Sequence, residues 1–266
     1  MTSTGPFPFT IKYSRQSAGP GEMLFFLESI LFRQPFLSAR ILLVSYLLLF
    51  LSSVAFADGD PAAVALPAND IVSRLLLRNA ERTANLARFT SNRNYDVSYN
   101  GLAHKQASMQ VTASYDHGHK TFSIVSESGS KLLLDHVLHK LLTSEQEADA
   151  TRNQTALTRD NYDFSLVGSE SKDGRNCYVL EVTPKRKNKY LYSGKIWVDA
   201  KDFAVTHVEA HPAVNPSFWI SGTDIEHRYE KVGDFWLPLS NRSVTKVRIG
   251  GQAVLTINYS DYKLNP

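Results

Sequence analysis

The sequence predicts a mainly β, α+β domain: a curved antiparallel sheet, or incomplete barrel, lidded by helices. Three observations predict it. From Tyr95 onward most segments alternate apolar and polar side chains, as half-buried strands do. Short turn signals separate them, among them Lys172-Asp173-Gly174-Arg175, Gly233-Asp234 and Gly250-Gly251, so successive strands are antiparallel neighbours. Two other segments carry apolar residues at helical spacing instead.

Ahead of these elements, residues 41–57 read ILLVSYLLLFLSSVAFA. An apolar run preceded by Arg33 and Arg40 and ending in Ala55-Phe56-Ala57 has the form of a secretory leader with an Ala-x-Ala cleavage site. Cleavage near Ala57 makes residues 1–57 an N-terminal extension plus signal peptide. It places the mature chain outside the cytoplasm, in the periplasm. The alternative is a membrane anchor formed by residues 41–57, although a spanning helix needs about 20 apolar residues and this run falls short. Residues 1–22 are polar and rich in Gly, Pro and Ser, and Met23 is a more ordinary start for such a leader.

Residues 1–57 hold four basic side chains (Lys12, Arg15, Arg33, Arg40) and two acidic ones (Glu22, Glu28), against a net charge of +3 for the whole chain. The remainder is nearly neutral, which leaves no electrostatic footprint for nucleic acid. Its length suits one domain with a substantial core. Cys177 is the single cysteine, so no internal disulfide forms, and it reads as a buried apolar residue on a strand.

Residues 58–68 (DGDPAAVALPA) read as a flexible spacer, and residues 69–266 as the folded domain. Asn69 or Asp70 is expected to cap a first helix. Its buried stripe is expected at Val72, Leu75, Leu76, Ala80, Ala84 and Ala87, with arginines mainly on the other side. Strands follow in YDVSYNG, QASMQVTASY and KTFSIVS. A second helical stripe then comprises Leu133, Leu134, Val137, Leu138, Leu141 and Leu142. Residues 149–161 read as a polar loop. The rest is a meander of strands running to YSDYKL at the C-terminus. Such a sheet keeps one face wet and one dry, and the helices belong on the dry face. That arrangement encloses either a filled core or an apolar cavity.

Within the meander, SGKIWVDAKDFAVTHVEAH resembles the central hairpin of the periplasmic lipoprotein carrier (LolA/LolB-like) superfamily, on Trp197-Val198-Asp199, a short turn, and a strand ending in Val208-Glu209. Downstream, Gly233, Trp236-Leu237-Pro238 and Tyr259-Ser260-Asp261-Tyr262 continue the likeness. The resemblance implies a LolA-like fold with an apolar cavity for acyl chains. It implies a binding or carrier function for a lipid or lipidated protein, with no catalytic residues, no metal and no cofactor. Candidate cavity residues are Leu76, Phe122, Ile124, Leu134, Leu138, Tyr178, Trp197 and Trp219. The carriers place Arg-Pro just before an aromatic strand. Tyr115-Asp116-His117-Gly118-His119-Lys120 has no such arginine here, so the broader lipid-binding role is the one implied.

Other constellations read as solvated faces. His207, Glu209 and His211 share one strand face, Asp116, His117 and His119 cluster, and Asp135, His136 and His139 share a helix. None has a recognised metal-site spacing, and no serine lies in Gly-x-Ser-x-Gly. Phe218 and Trp219 follow Pro212 and Pro216 in HPAVNPSFWISG, a loop suited to a membrane-protein partner; the runner-up function is therefore a periplasmic sensor or interaction module. Lys185, Arg186, Lys187 and Lys189 form a basic turn suited to a membrane surface. The expected state is a monomer. On export, N-terminal sequencing of the mature protein should read from Asp58; retention of residues 41–57 instead indicates the anchor.

Overall fold

The computed structural model describes residues 66–101, 103–147, 155–188, 190–215, 218, 220–248 and 250–265. The apolar run 41–57, the spacer up to residue 65, Lys189 and Trp219 lie outside them. The described chain opens on helix α1 (Ala68–Asn85), followed by β1 (Arg88–Asn100), β2 (His104–Asp116) and β3 (His119–Gly129). A second helical segment comprises α2 (Lys131–Leu133), a π-helical turn (Leu134–Leu138) and α3 (His139–Glu147). The meander follows: β4 (Tyr162–Lys172), β5 (Arg175–Pro184), β6 (Tyr192–Asp199), β7 (Val205–Pro212), β8 (Ile220–Val232), β9 (Phe235–Val247) and β10 (Gln252–Asn265).

All ten strands form one curved, unclosed antiparallel sheet in the order β3-β2-β1-β10-β9-β8-β7-β6-β5-β4. β1 pairs with β10 along nearly its whole length, from Arg88↔Asn265 to Asn100↔Gln252. The first and last strands therefore sit side by side inside the sheet, and β3 and β4 are its two edges. Both edge pairings contain a bulge on the edge strand, at Val125 of β3 opposite Gln110 and Val111, and at Val167 of β4. Val125 and Val167 are left 63% and 53% exposed there. Bulged edges resist pairing with a stray strand.

α1 starts differently from expectation. Pro67, in extended conformation, occupies the N-cap, and its carbonyl accepts the amides of Asp70 (2.9 Å) and Ile71 (3.2 Å). Asn69 and Asp70 thus lie in the first turn, where Asp70 still complements the helix dipole. The buried stripe is Ile71, Val72, Leu75, Asn79 and Thr83, while Ala84 is exposed and Ala80 half-buried. The helical advance from Val72 and Leu75 carries the stripe to 79 and 83. Two polar residues therefore take places assigned by hydrophobicity to alanines.

The sheet's inner face carries two apolar clusters. The first joins Ile71, Val72 and Leu75 of α1 to Leu180, Ile196, Val208 and Ile225 of β5–β8. The second joins Leu133, Leu138, Leu141 and Leu142 to Tyr95, Met109, Val111, Leu255 and Ile257 of β1, β2 and β10. A smaller cluster at one end packs Leu86, Phe89, Tyr115 and Leu237. No helix among the described residues is long and apolar enough to cross a membrane.

One turn ties α1 to the sheet. Between β6 and β7, Asp199 Oδ1 accepts the amides of Lys201 (2.9 Å) and Asp202 (2.6 Å), and Phe203 adopts φ 49°. The Arg82 guanidinium donates to the carbonyls of Asp202 and Phe203. The Asp202 carboxylate accepts from Lys231 Nζ (2.6 Å) and Trp236 Nε1 (3.2 Å), which fixes the β8–β9 hairpin to the same turn. Burial alone raises the Asp202 pKa, but these donors outweigh it and hold the carboxyl below its ordinary value of 3.8. A depressed carboxylate adds stability above its unfolded pKa and loses it as pH falls through the folded one. Asp202→Asn should therefore lower the melting temperature at pH 7 and flatten its fall below about pH 4, as read by thermal unfolding across pH.

Candidate functional site

Register settles which side chains face the helices. Partners across an antiparallel ladder share a face, and alternate residues along a strand change face. Tyr95, opposite Met109 and Ile257, faces inward, and with it Arg93, opposite Val111 and Tyr259. Ile225 is opposite Ser243, and Ser243 is opposite Leu255, so the inner face continues across β8, β9 and β10. The candidate site is this face with its two helical roofs.

A charged residue sits in the middle of the second apolar cluster's floor. Arg93 is 3% exposed, and its Nη1 lies 2.8 Å from Glu145 Oε2 on α3. Its guanidinium carbon lies 5.1 Å from the ring centres of both Phe122 and Tyr259. Arg93 also donates to Tyr95 Oη at 3.4 Å, and Tyr95 Oη donates to Glu145 Oε1 at 3.4 Å. A buried guanidinium needs such a counter-charge and ring faces to replace water. The second roof is therefore fixed by leucines and by one buried ion pair. From Tyr259 a polar line continues along the floor: Asn241 Nδ2 donates to Tyr259 Oη (2.7 Å), and Asn241 Oδ1 meets His227 Nδ1.

The expected cavity residues fall into two groups. Leu76 and Tyr178 pack, half-buried, against the first cluster. Leu138 is fully buried in the second, with half-buried Phe122, Ile124 and Leu134 against it. Trp197 is a correction. It is buried, but on the outer face, with Cys177 and Val179. Ile196 and Val198 point inward, and alternation sends Trp197 the other way. There Trp197 Nε1 donates to Glu170, Lys172 Nζ lies over the ring at 4.4 Å, and His207 stands edge-on at 5.0 Å. Trp219 lies outside the described residues.

The histidine clusters are taken up in ordinary carboxylate contacts. His207 Nε2 is 3.1 Å from Glu209, which also accepts Lys172 Nζ at 3.0 Å. Burial, then the Lys172 charge, lowers the His207 pKa. His211 pairs with Asp224, His117 with Asp116, and His139 with both Glu127 and Asp135. Among the described residues, no three His, Cys, Asp or Glu side chains are grouped to hold a metal ion. A depression of about 290 Å³ lies elsewhere, lined by Asp96, Ser98, Gln106, Ser108, Ser128 and Thr256.

Sequence reasoning missed Arg93 and Glu145. The signal was present: Arg93 shares parity with Tyr95 and Val97, so an arginine stands on the apolar side of that strand. Reading the strand only from Tyr95 hid it.

The comparisons with known proteins follow the fold. Residues 155–262, less than half of the chain, match a family of unknown function, DUF5686. None of the curated proteins searched matches the chain. Among solved structures, a DUF1329 family protein from Desulfovibrio piger is 14% identical at TM-score 0.40, covering 75% of this chain and 93% of its own. A provisionally assigned outer-membrane lipoprotein-sorting protein domain from Vibrio parahaemolyticus is 13% identical at TM-score 0.43, over 75% and 94%. A LolA superfamily protein from Nitrosomonas europaea is 16% identical at TM-score 0.35, over 76% and 95%.

Removing one partner of a buried ion pair strands the other charge, at a cost of about 3–5 kcal/mol. Glu145→Gln should show a loss near the lower end of that range in urea unfolding, with faster amide exchange across residues 139–147. The double replacement Arg93→Met, Glu145→Leu should restore most of the stability.

Proposed function

We propose that the chain is an exported, periplasmic binding or carrier protein that takes the hydrocarbon of a lipid or lipidated protein between its concave sheet face and its helices. The proposal includes a leader at residues 1–57, a spacer at 58–68 and a single binding domain at 69–266. One observation supports it most: the inner face is apolar over two separate floors, each roofed by a helix.

The second roof has the form of a movable lid. Its middle is a π-helical turn, Leu134–Leu138, and such wide turns accompany functional sites. With the lid closed, Leu133, Leu138 and Leu141 fill the floor themselves. Uptake is therefore an exchange in which acyl methylenes replace leucine side chains. Each buried methylene contributes about 0.8 kcal/mol, offset by the leucine surface that the displaced lid exposes. No bond is made or broken, so the function needs no catalytic group. Binding then favours chains long enough to outweigh that exposure.

A second reading, docking of a membrane protein through the loop before β8, is supported by Phe218, which is 75% exposed with Arg248 at 5.4 Å from its ring. Phe218→Ala should abolish capture of such a partner while leaving lipid binding unchanged.

The carrier reading is tested by native mass spectrometry of protein purified from the periplasm, alongside titration with an apolar fluorescent probe. The expected results are a co-purifying lipid and a saturable rise in fluorescence. Neither lipid nor probe binding overturns the carrier reading.

A further inference from the structure

The two apolar floors are not continuous. Between them runs the inner face of β8 and β9, which carries Thr223, Ile225 and His227 opposite Thr245, Ser243 and Asn241. Four of those partners are already engaged. Thr223 Oγ1 and Thr245 Oγ1 are 3.1 Å apart, and His227 meets Asn241, which donates to Tyr259. Ser243 is the exception. It is 6% exposed, lies between Ile225 of the first floor and Leu255 of the second, and its Oγ meets no hydrogen-bond partner among the described residues. Two more inner-face hydroxyls share that condition: Ser91 at 2% exposure and Tyr192 at 1%.

A buried hydroxyl without a partner is costly, since it has given up water for nothing. A purely hydrocarbon ligand leaves that cost in place. A ligand carrying an acceptor at the seam removes it. The charge balance narrows the choice further. The six seam residues Thr223, Ile225, His227, Asn241, Ser243 and Thr245 include no Asp, Glu, Lys or Arg. An anionic head group at Ser243 meets no lysine or arginine in this seam, and burying it without such a partner is strongly unfavourable.

We propose that the interior binds an uncharged acyl ester, with the ester carbonyl accepting a hydrogen bond from Ser243 Oγ and hydrocarbon extending onto the floors on either side. This rests on the carrier reading and specifies the ligand class within it. A serine hydroxyl donates one proton and a carbonyl oxygen accepts it. The seam then supplies selectivity, and the floors supply most of the affinity.

The test is displacement of a bound apolar fluorescent probe from the purified protein by three competitors: dioleoylglycerol, squalene and oleate at pH 8. Dioleoylglycerol should displace the probe at the lowest concentration. Ser243→Ala should weaken dioleoylglycerol by about fivefold, the scale of one hydrogen bond, and leave squalene unchanged. Ser243→Thr, which keeps the hydroxyl, should bind dioleoylglycerol within about twofold of wild type. Circular dichroism melting of both variants separates a folding defect from a binding one. Equal displacement by dioleoylglycerol and squalene, or no effect of Ser243→Ala on either, overturns the ester assignment and leaves the carrier reading standing. Stronger displacement by oleate than by dioleoylglycerol overturns the uncharged character of the site. Failure of the probe itself to bind is the separate result that removes the carrier reading.

Discussion

The pairing of β1 with β10 is the constraint on which the rest of the molecule depends. It places the first and last strands of the chain side by side in the interior of the sheet and makes β3 and β4 the edges. The chain must then travel from one edge to the other between residues 129 and 162. A connection between strands that far apart cannot be a hairpin. Its described helical part, residues 131–147, packs on the sheet, and its leucines require the apolar face. The second roof is thus a consequence of strand order as much as of its own sequence. α1 reaches the other half by a different route, entering just before β1 and lying over β5–β8.

Two roofs from two places in the chain leave a seam between them, and polarity follows that division. Where a helix lies over the sheet, the floor is leucine, isoleucine, valine and aromatic. Along β8 and β9, threonine, asparagine, histidine and serine take over. Arg93 belongs to the same logic at higher cost. Its charge is retained inside the second cluster only because Glu145 descends from the roof to meet it and two rings flank it. A buried pair of this kind contributes little net stability over an apolar replacement, but it fixes the position of the roof on its floor.

The outer face shows what the same strands do without a roof. Trp197, His207, Lys172 and Glu209 cover one another there, with edge-on ring packing, an ammonium over the indole and alternating charges. An indole on a curved sheet can be buried on either side. Cross-strand neighbours with long side chains are enough to exclude water from it. Aromatic size alone therefore identified a buried residue and not the side on which it is buried. His207 and Glu209, which share one strand face by their spacing, are absorbed by the same cover.

The sequence by itself determined the element types, because period-two alternation and Asp-Gly or Gly-Gly turns are local signals. It determined the leucine stripe of the second helical segment for the same reason. It named Leu138, Phe122 and Tyr178 as apolar candidates, while the face each strand residue takes was left open, since a one-residue slip reverses it. Strand order, the side taken by Trp197, the ion pair of Arg93 with Glu145 and the seam at Ser243 were decided only by tertiary structure. Each joins residues far apart in the chain, and whether two such residues meet depends on register across strands. A shift of one residue in any ladder sends a different set of side chains inward while leaving every local pattern unchanged.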